Sequence, residues 1–386
     1  MRILIWSANY SPELIGIPPL VTGAAEWFAS RGHCVDVVTA VPNYPQRVVH
    51  PEFRGALYWS SLEHGVRVHR SWLRVRPNER FVDKMLYEAS FALVSAPRIL
   101  RRLRTTDVLV CVVPSLAAAA ISTLLPSRRR VLWVQDLVSA AAATVDGTPA
   151  PAVLAAWRLE RLAAQRADHA IVCSPGFSDH LVKLGVSRAR IATIFNWVDT
   201  REISAPTTSA NGRAPRFLYA GNLGYTQGFE VLFAAARRAK VDLEVVGEGN
   251  AADAVRAQAG DGVAVRDPVQ RTEYPALLAS ADVHVLVQRR VAAGANLPSK
   301  IASYLASGRP VLASIDLDTP AAQLLRESGG ALLVEPEQPQ ALADAMVRLR
   351  DDPQLREELG RRGRAFAVSR LDREVVLPQF ERVLLG

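Results

Sequence analysis

Residues Gly294–Ser314 read GANLPSKIASYLASGRPVLAS, and the pattern of this stretch indicates the class of fold. The apolar run Val283–Val287 precedes it and predicts a buried strand. Apolar residues then recur at helical spacing over Ile301–Leu305, and Val311–Ala313 predicts the next strand. The order strand, loop, helix, strand is typical of a parallel α/β sheet.

The loop of this unit offers a place for an anion. Ser299 is predicted to cap the helix and Gly308 to end it, while Lys300 lies in the first turn. Free backbone N–H groups at a helix N-terminus favour an anion, and Lys300 would add a full positive charge for a phosphate. The alternative is that the loop only connects and that Lys300 is solvated.

Composition points to a two-domain globular protein with an anionic partner. The chain has 386 residues, enough for two domains, and 22% charged residues, which argues against disorder. Its formal net charge of +8 indicates a nucleotide, a phospholipid surface or a nucleic acid. Because no basic block alternates with aromatic residues, no nucleic acid partner is expected.

The cysteines and the apolar runs predict a cytoplasmic location. Three scattered cysteines without Cys-x-x-Cys spacing indicate reduced thiols, and neither a disulfide framework nor a zinc site. We expect no secretory signal, because the first apolar run is too short, and no transmembrane segment. Arginines near residues 98–104 predict either a basic surface that meets anionic lipid at the inner face of the membrane or a solvated face.

The first half of the chain alternates strands and helices. Gly16 lies in the loop after the first strand, where glycine permits close backbone approach, although the loop could simply connect. Asp136 follows the strand Val131–Val134, at the strand end where open α/β sheets bind ligands. The alternative for Asp136 is a structural aspartate that bonds loop amides.

The second half begins after a segment without periodic apolar residues, which predicts a linker. The strand Phe217–Ala220 leads into the glycine-rich turn Gly221–Gly224, and a helix is predicted from about Gln227. Such a turn can bring backbone N–H groups to a diphosphate.

The motif Asn296–Lys300, followed by Tyr304–Val311, resembles the donor-binding segment of family-4 glycosyltransferases. The branch it resembles most contains bacterial exopolysaccharide, capsule and O-antigen enzymes, and the resemblance covers nearly the whole chain. It implies an α/β fold of GT-B architecture, with two Rossmann-like domains facing across a cleft. The implied boundaries are an acceptor-binding domain at 1–199, a linker at 200–214, a nucleotide-sugar-binding domain at 215–365 and a C-terminal helical segment at 366–386 that packs toward the first domain.

The resemblance also implies the site. Asp136 is expected to orient or deprotonate the acceptor hydroxyl. The residues expected to bind the donor are Gly16, Gly221, Asn222, Gly224, Gln227, Glu248, Val269, Arg289, Asn296, Leu297, Pro298, Ser299 and Lys300.

Two departures from the family pattern change the expected contacts. Many relatives place an arginine and a lysine in the glycine-rich turn, where this chain has Asn222 and Gln227. Positive charge is therefore expected from Lys300, and next from Arg289 or Arg290.

Many retaining relatives also carry two glutamates eight positions apart, and the matching positions here hold Ala295 and Ser303. Neither side chain can act as a carboxylate. Sugar recognition is therefore assigned to the backbone of Gly294–Pro298 and to Asn296.

The resemblance implies a retaining, metal-independent glycosyltransferase that uses a nucleotide-diphospho-sugar and no further cofactor. Its acceptor would be a lipid-linked saccharide or a soluble metabolite, in polysaccharide, glycolipid or glycosylated-metabolite biosynthesis. Two rivals remain open: a nucleotide-sugar epimerase of the same architecture and a non-catalytic nucleotide-sugar-binding protein. A dinucleotide dehydrogenase is disfavoured, because the loop after the first strand lacks Gly-x-Gly-x-x-Gly.

Overall fold

The structure is a computed structural model. It describes residues 1–13, 16–44, 47–76, 81–144, 148–203, 213–292 and 297–386. The chain divides into two compact units: Met1–Phe195 with Leu377–Gly386, and Asn196–Val376. Each unit is built on a sheet of mainly parallel strands, so the α/β class with two Rossmann-like domains that we predicted is confirmed.

The first unit has eight strands within its described residues. They are β1 (Arg2–Trp6), β2 (Cys34–Ala40), β3 (Tyr58–Glu63), β4 (Val66–Ser71), β5 (Val108–Val113), β6 (Arg130–Val134), β7 (His169–Val172) and β8 (Ile191–Thr193). Their order in the sheet is β3-β4-β2-β1-β5-β6-β7-β8. All neighbours are parallel except β3 and β4, which form an antiparallel hairpin.

Helices connect these strands. They are α1 (Pro18–Ser30), α2 (Phe81–Leu103), α3 (Leu116–Ser122), α4 (Val138–Thr144), α5 (Ala150–Arg166) and α6 (Pro175–Lys183). The inner strands are apolar throughout: β5 reads VLVCVV, and all six of its residues are buried. An apolar run without alternation is typical of a strand covered on both faces. The functional positions of such a sheet are therefore at its strand ends.

The second unit has six strands within its described residues. They are β9 (Arg216–Ala220), β10 (Asp242–Val246), β11 (Val263–Arg266), β12 (Val283–Val287), β13 (Val311–Ser314) and β14 (Ala331–Val334). All pair in parallel, in the order β11-β10-β9-β12-β13-β14. This is the 3-2-1-4-5-6 order of a Rossmann fold. The strand order reverses between β9 and β12, and ligands of such sheets bind beyond the strand ends at this switch point.

The helices that follow in the chain complete this unit. They are α7 (Phe229–Ala239), α8 (Ala252–Gln258), α9 (Tyr274–Ser280), α10 (Lys300–Ala306), α11 (Pro320–Ser328), α12 (Pro339–Asp351), α13 (Pro353–Phe366) and α14 (Arg373–Leu385). From Leu377 onward, α14 belongs to the first unit. There Phe380 packs edge-on against Trp133, with ring centroids 4.8 Å apart, and Glu381 lies 2.7 Å from the His33 ring. None of the helices in the described ranges combines the length and apolarity needed to cross a bilayer.

The strand β3 corrects one prediction, because we expected an irregular stretch from Pro42 to about Glu63. Tyr58 and Leu62 are exposed on this edge strand, so no apolar face marked it in the sequence. The turn after β3 contains the sequence feature that could have predicted the hairpin. His64 and Gly65 have φ of 46° and 82°, and two positive φ values are typical of a tight hairpin turn.

Two helices near the C-terminus also differ from the prediction. We assigned no helix to the region of α13, although Asp352 caps it by accepting from Leu355 N–H at 2.9 Å. The last helix begins at Arg373 rather than near Pro378, which lies inside it. Asp372 explains the earlier start, because its carboxylate accepts from the Glu374 N–H at 2.8 Å.

Candidate active site

The glycine-rich turn after β9 lies tightly against the loop after β10. Gly221 N–H donates to the Val246 carbonyl and Leu223 N–H to the Glu248 carbonyl, both at 2.9 Å. A Cβ at Gly247 would lie 1.8 Å from the Gly221 carbonyl oxygen, so only glycine fits there. The two loops therefore form one rigid backbone surface at the strand ends.

Lys300 reaches this surface from α10. Its Nζ lies 3.8 Å from the centroid of the Tyr219 ring, and a Cβ at Gly221 would lie 2.7 Å from the same nitrogen. Burial lowers the pKa of Lys300 to about 7. Within the described ranges, Nζ has no carboxylate or hydrogen-bond partner, so the aromatic face is the contact that stabilises its charge. Lys300 is therefore half-buried against this ring, and part of its surface stays exposed.

A buried hydroxyl fixes α10 to β9. Tyr304 Oη accepts from the Ala220 N–H at 2.8 Å and donates to the Ala220 carbonyl at 2.9 Å. The His284 ring stacks on Tyr304 with centroids 4.4 Å apart, and its Nε2 lies 2.9 Å from Ser307 Oγ. Burial lowers the pKa of His284 to about 3, so this ring is neutral. These contacts determine where Lys300 is placed.

The other two candidate cations are already paired with carboxylates. Arg289 Nη2 donates to Glu230 at 2.8 Å. Arg290 donates to Asp316 at 2.9 Å and to Glu335 at 2.6 Å. The charge of each arginine is therefore already partly balanced, unlike that of Lys300.

Asn222 and Gln227 help to hold the turn in shape. The Tyr219 hydroxyl donates to the Asn222 carbonyl at 2.7 Å, and Gln227 Oε1 accepts from the Gly224 N–H at 2.9 Å. A Cβ at Gly224 would lie 2.7 Å from that same oxygen. The positions where relatives carry cations therefore support the backbone here.

Glu248 and Val269 lie at the ends of neighbouring strands. Arg256 Nη2 donates to Glu248 Oε2 at 3.1 Å and to Asp267 at 2.8 Å, which links the loops after β10 and β11. Val269 is half-buried two residues beyond Asp267.

The segment before α10 corrects the predicted cap. Ser299 is exposed, has helical φ and ψ of −59° and −25°, and makes no capping hydrogen bond. The backbone turns earlier, because Ile301 N–H donates to the Pro298 carbonyl at 3.1 Å. Leu297 is buried and anchors this turn. Asn296 lies outside the described residues, as do the neighbouring positions 293–295.

The Ser303 hydroxyl is used within α10 and its surroundings. It donates to the Lys300 carbonyl at 3.0 Å and lies 3.3 Å from the Tyr274 hydroxyl. Gly308 ends the helix as predicted, with a φ of 71° that favours glycine.

Asp136 lies directly after β6, at the carboxyl edge of the first sheet. Its side chain makes no hydrogen bond with the described residues, and burial raises its pKa to about 6. Glu160 holds the residues that follow, accepting from the Val138 N–H at 3.0 Å and from the Ser139 hydroxyl. His180 bonds the same carboxylate at 2.9 Å. Asp136 is thus a free carboxyl group on a fixed backbone.

Gly16 has a φ of 85°, which favours glycine, and open space where a Cβ would be. It is exposed, and α1 begins two residues later without a side-chain cap. The start of α1 offers no free N–H group, however, because Pro18 and Pro19 have none and the N–H groups of Leu20 and Val21 donate to the Ile17 carbonyl at 3.0 and 3.1 Å.

Comparison with known proteins supplies the family. The description "Glycosyl transferase 4-like domain" matches residues 16–197, and "Glycosyl transferases group 1" matches residues 214–352. The chain is 31% identical over 413 aligned residues to the putative colanic acid biosynthesis glycosyl transferase WcaI of Escherichia coli K12, with 100% of both chains covered. The chain belongs to the group 1 glycosyltransferases. The resemblance that we read from Asn296–Lys300 is confirmed.

Solved structures support the fold of this glycosyltransferase. Sucrose-phosphate synthase from Thermosynechococcus elongatus matches with a TM-score of 0.72 at 19% identity, covering 99% of this chain and 98% of the other. Anabaena HepE in complex with UDP-glucose matches with a TM-score of 0.72 at 16% identity, covering 100% and 99%.

The glycosyltransferase also contains two carboxyl groups with raised pKa that we did not single out. Glu13 accepts from the N–H groups of Asn43 and Tyr44 at 3.0 and 2.9 Å, and burial raises its pKa. Glu88 accepts from the Ser115 hydroxyl at 2.8 Å, and burial raises its pKa to about 7. Both lie near the ends of β1 and β5, where the strand order of the first sheet reverses. The sequence feature that could have identified Glu88 is its position: a carboxylate among the apolar residues of α2.

Proposed function

We propose that this glycosyltransferase moves a sugar from a nucleotide-diphospho-sugar to an acceptor hydroxyl, with retention of anomeric configuration, in polysaccharide biosynthesis. The relative WcaI is named for colanic acid biosynthesis, and the HepE structure contains UDP-glucose. Retention follows from the family resemblance. Within this chain, the support for the donor comes from Lys300.

Lys300 carries the proposal because it is half-buried and its ammonium group forms no ion pair with a carboxylate of the described residues. It lies between the ends of β9 and β12, which is the switch point of the second sheet. A diphosphate bound there would supply the missing counter-charge. The charge that accumulates on the leaving diphosphate would then be stabilised by a preorganised cation in a site of low dielectric.

The reaction assigns a separate role to Asp136. The acceptor oxygen forms a bond to the anomeric carbon of the donor sugar, and the bond from that carbon to the β-phosphate oxygen breaks. The electron pair of the broken bond stays on the diphosphate, where Lys300 and backbone N–H groups balance it. Asp136 orients the acceptor hydroxyl or takes its proton. The scheme assigns no step to a metal or to another cofactor.

The proposed acceptor is a lipid-linked saccharide, and the proposed location is the inner membrane surface. The helix α2 exposes Met85, Leu93 and Leu100, each at 50% or more of its surface. Arg101 and Arg104 are exposed near the end of the same helix. Apolar side chains flanked by arginines are typical of a surface that binds anionic lipid.

The first experiment is a thermal-shift screen with nucleoside diphosphates and nucleotide sugars, because a ligand of the folded state raises the unfolding temperature. The nucleotide sugar that stabilises the enzyme is then prepared with an isotope label in its sugar. The enzyme is incubated with this labelled donor, first alone and then with lipid-linked or soluble saccharide acceptors. We expect a labelled glycoside only when an acceptor is present. Epimerised donor in the absence of any acceptor, or binding without turnover under all acceptors, would contradict the proposal.

A further inference from the structure

The β3–β4 hairpin borders an open recess of about 390 Å³, far from Asp136 in the first sheet. We call it the hairpin recess. The lining residues that matter here are Glu52, Phe53, Trp59, Ser61, Glu63 and Arg70. Ser11 and Pro12, from the loop after β1, close one side. The volume is within the range of small-molecule sites.

Two aromatic rings form a wall of the hairpin recess. Phe53 and Trp59 pack edge to face, with centroids 5.7 Å apart and planes at 77°, and both are half-buried. Trp59 pairs with Arg70 across the hairpin, and Arg98 donates to the Trp59 carbonyl at 2.9 Å. The rings are therefore held in place while part of their surface stays open. The face of a pyranose ring that carries C–H groups packs well on such a surface.

Arg70 provides an unused donor at the base of the recess. The residue is 4% exposed, and its Nη2 donates to both oxygens of Glu63 at 2.9 and 3.2 Å. In the part of the chain that the structure describes, its Nη1 is buried without a hydrogen-bond partner. A buried donor without a partner is unfavourable, so an oxygen of a ligand that enters beside Phe53 would gain this hydrogen bond.

The charges of the lining residues exclude an anionic ligand. Arg70 is neutralised by Glu63, and Glu52 adds a further negative charge at the rim. A phosphate or a uronic acid would meet net negative charge. Hydroxyl groups, in contrast, can donate to the two glutamates and accept from Arg70.

We propose that the hairpin recess binds an uncharged saccharide unit of the acceptor, remote from the reacting hydroxyl. Arg70 lies one residue before the end of β4 and Asp136 follows β6, and four strand spacings of ~4.8 Å separate these strands, or roughly 19 Å. One sugar ring cannot reach both positions. The inference rests on the proposed function, and it selects an oligosaccharide acceptor over a small metabolite.

The test uses the full chain labelled with ¹⁵N-tryptophan, and the Trp59 indole signal is assigned from Trp59→Phe. Cellotetraose, mannotetraose and galactotetraose are the uncharged probes, and a galacturonate oligomer and inorganic phosphate are the charged probes. We expect at least one uncharged probe to shift the Trp59 signal saturably, and the charged probes to leave it unchanged. Arg70→Lys should weaken the binding about tenfold, the scale for losing a charge-assisted hydrogen bond.

Leu62→Ala is the matched control, because Leu62 belongs to the same strand, is 73% exposed and does not line the hairpin recess. It should bind the probe as the unchanged chain does. A Trp59 signal that ignores every uncharged probe, or that responds better to the galacturonate oligomer, overturns the inference. The titration needs no donor, so a failed nucleotide screen would refute the proposed function without affecting this result.

Discussion

At the scale of single residues, Lys300 is the side chain whose environment says most about function. An ordinary surface lysine is charged at neutral pH at no cost, whereas burial lowers the pKa of Lys300 to about 7. The Tyr219 ring offsets only part of this penalty. An enclosed ammonium therefore gains from an anionic ligand more than an exposed one does.

Lys300→Ala should weaken binding of the preferred nucleoside diphosphate by about 1.5–3 kcal/mol, the range for hydrogen bonds to charged groups. Isothermal calorimetry measures the effect, and Lys183→Ala is the control because Lys183 is exposed on α6. An unchanged dissociation constant would remove Lys300 from the donor site. The role would then pass to Arg289 or Arg290, despite their ion pairs.

A contact between Lys300 and a bound phosphate predicts that the affinity for the diphosphate depends on pH. A bound phosphate favours the charged form and raises the pKa of Lys300, so binding above about pH 7 takes up a proton. Affinity should then fall by up to about tenfold for each pH unit from about 7 to about 9. In Lys300→Arg the slope should vanish, because the guanidinium stays charged. The same slope in both proteins would mean that another group titrates.

Asp136→Asn should lower the turnover number by about 10²–10⁴, the range for a lost acid–base group, and should leave diphosphate affinity nearly unchanged. Burial raises the pKa of Asp136 to about 6, so kcat/KM should rise with pH through about 6 in the unchanged enzyme. Asp179→Asn, at an exposed position on α6, is the control. Normal turnover at saturating substrate would leave Asp136 with a structural role.

At the scale of elements, α13 holds the helix that carries Lys300. Gly360 and Gly363 face α10: a Cβ at Gly360 would lie 2.2 Å from the Gly308 carbonyl oxygen, and one at Gly363 would lie 3.0 Å from Leu305 Cδ2. The two glycines let the helices approach closely. Arg364 adds a hydrogen bond to the carbonyl of Ala306, the last residue of α10.

Gly360→Ala should destabilise the protein by about 1–3 kcal/mol, the usual cost of overpacking, although alanine gains ~1 kcal/mol in helix propensity. It should also weaken diphosphate binding, because α10 must shift. Gly260→Ala is the control, since no atom lies within 4 Å of its added Cβ. Thermal unfolding measures the stability of both variants. Equal midpoints would show that α13 can move away from α10 without loss of stability.

The sequence was most informative where an element has a strong apolar pattern. The strand β12, for example, has the bounds that its apolar run predicts. The prediction missed β3, whose exposed side chains gave no alternation, and α13, whose two glycines disfavour a helix locally but permit a tertiary contact. At the site, sequence position singled out Lys300 and Asp136, but only the folded chain shows that both are half-buried and that neither forms an ion pair with the described residues.

At the scale of the whole molecule, the chain carries a formal net charge of +8. Part of this charge belongs to α2, which also exposes apolar side chains. Long-range attraction to anionic lipid and local apolar contact would act together in holding the enzyme near a lipid-linked acceptor.

Vesicles of phosphatidylglycerol should therefore bind the enzyme better than vesicles of phosphatidylcholine, with binding that falls as salt is added. Reversing Arg101 and Arg104 to glutamate should weaken sedimentation with the anionic vesicles. Reversing Arg237 and Arg238, which are exposed on α7, changes the net charge equally and should have less effect. Equal losses in both variants would indicate attraction to overall charge, without a specific surface.

The placement of α14 has a consequence for biosynthesis. Residues 377–386 belong to the first unit, yet they leave the ribosome after the entire second unit. At about 5–20 residues per second, translation from position 195 to position 377 takes roughly 10–40 s. During that interval Trp133 lacks the Phe380 ring that covers it in the finished chain. The first unit therefore exposes this apolar face until residues 377–386 have been synthesised.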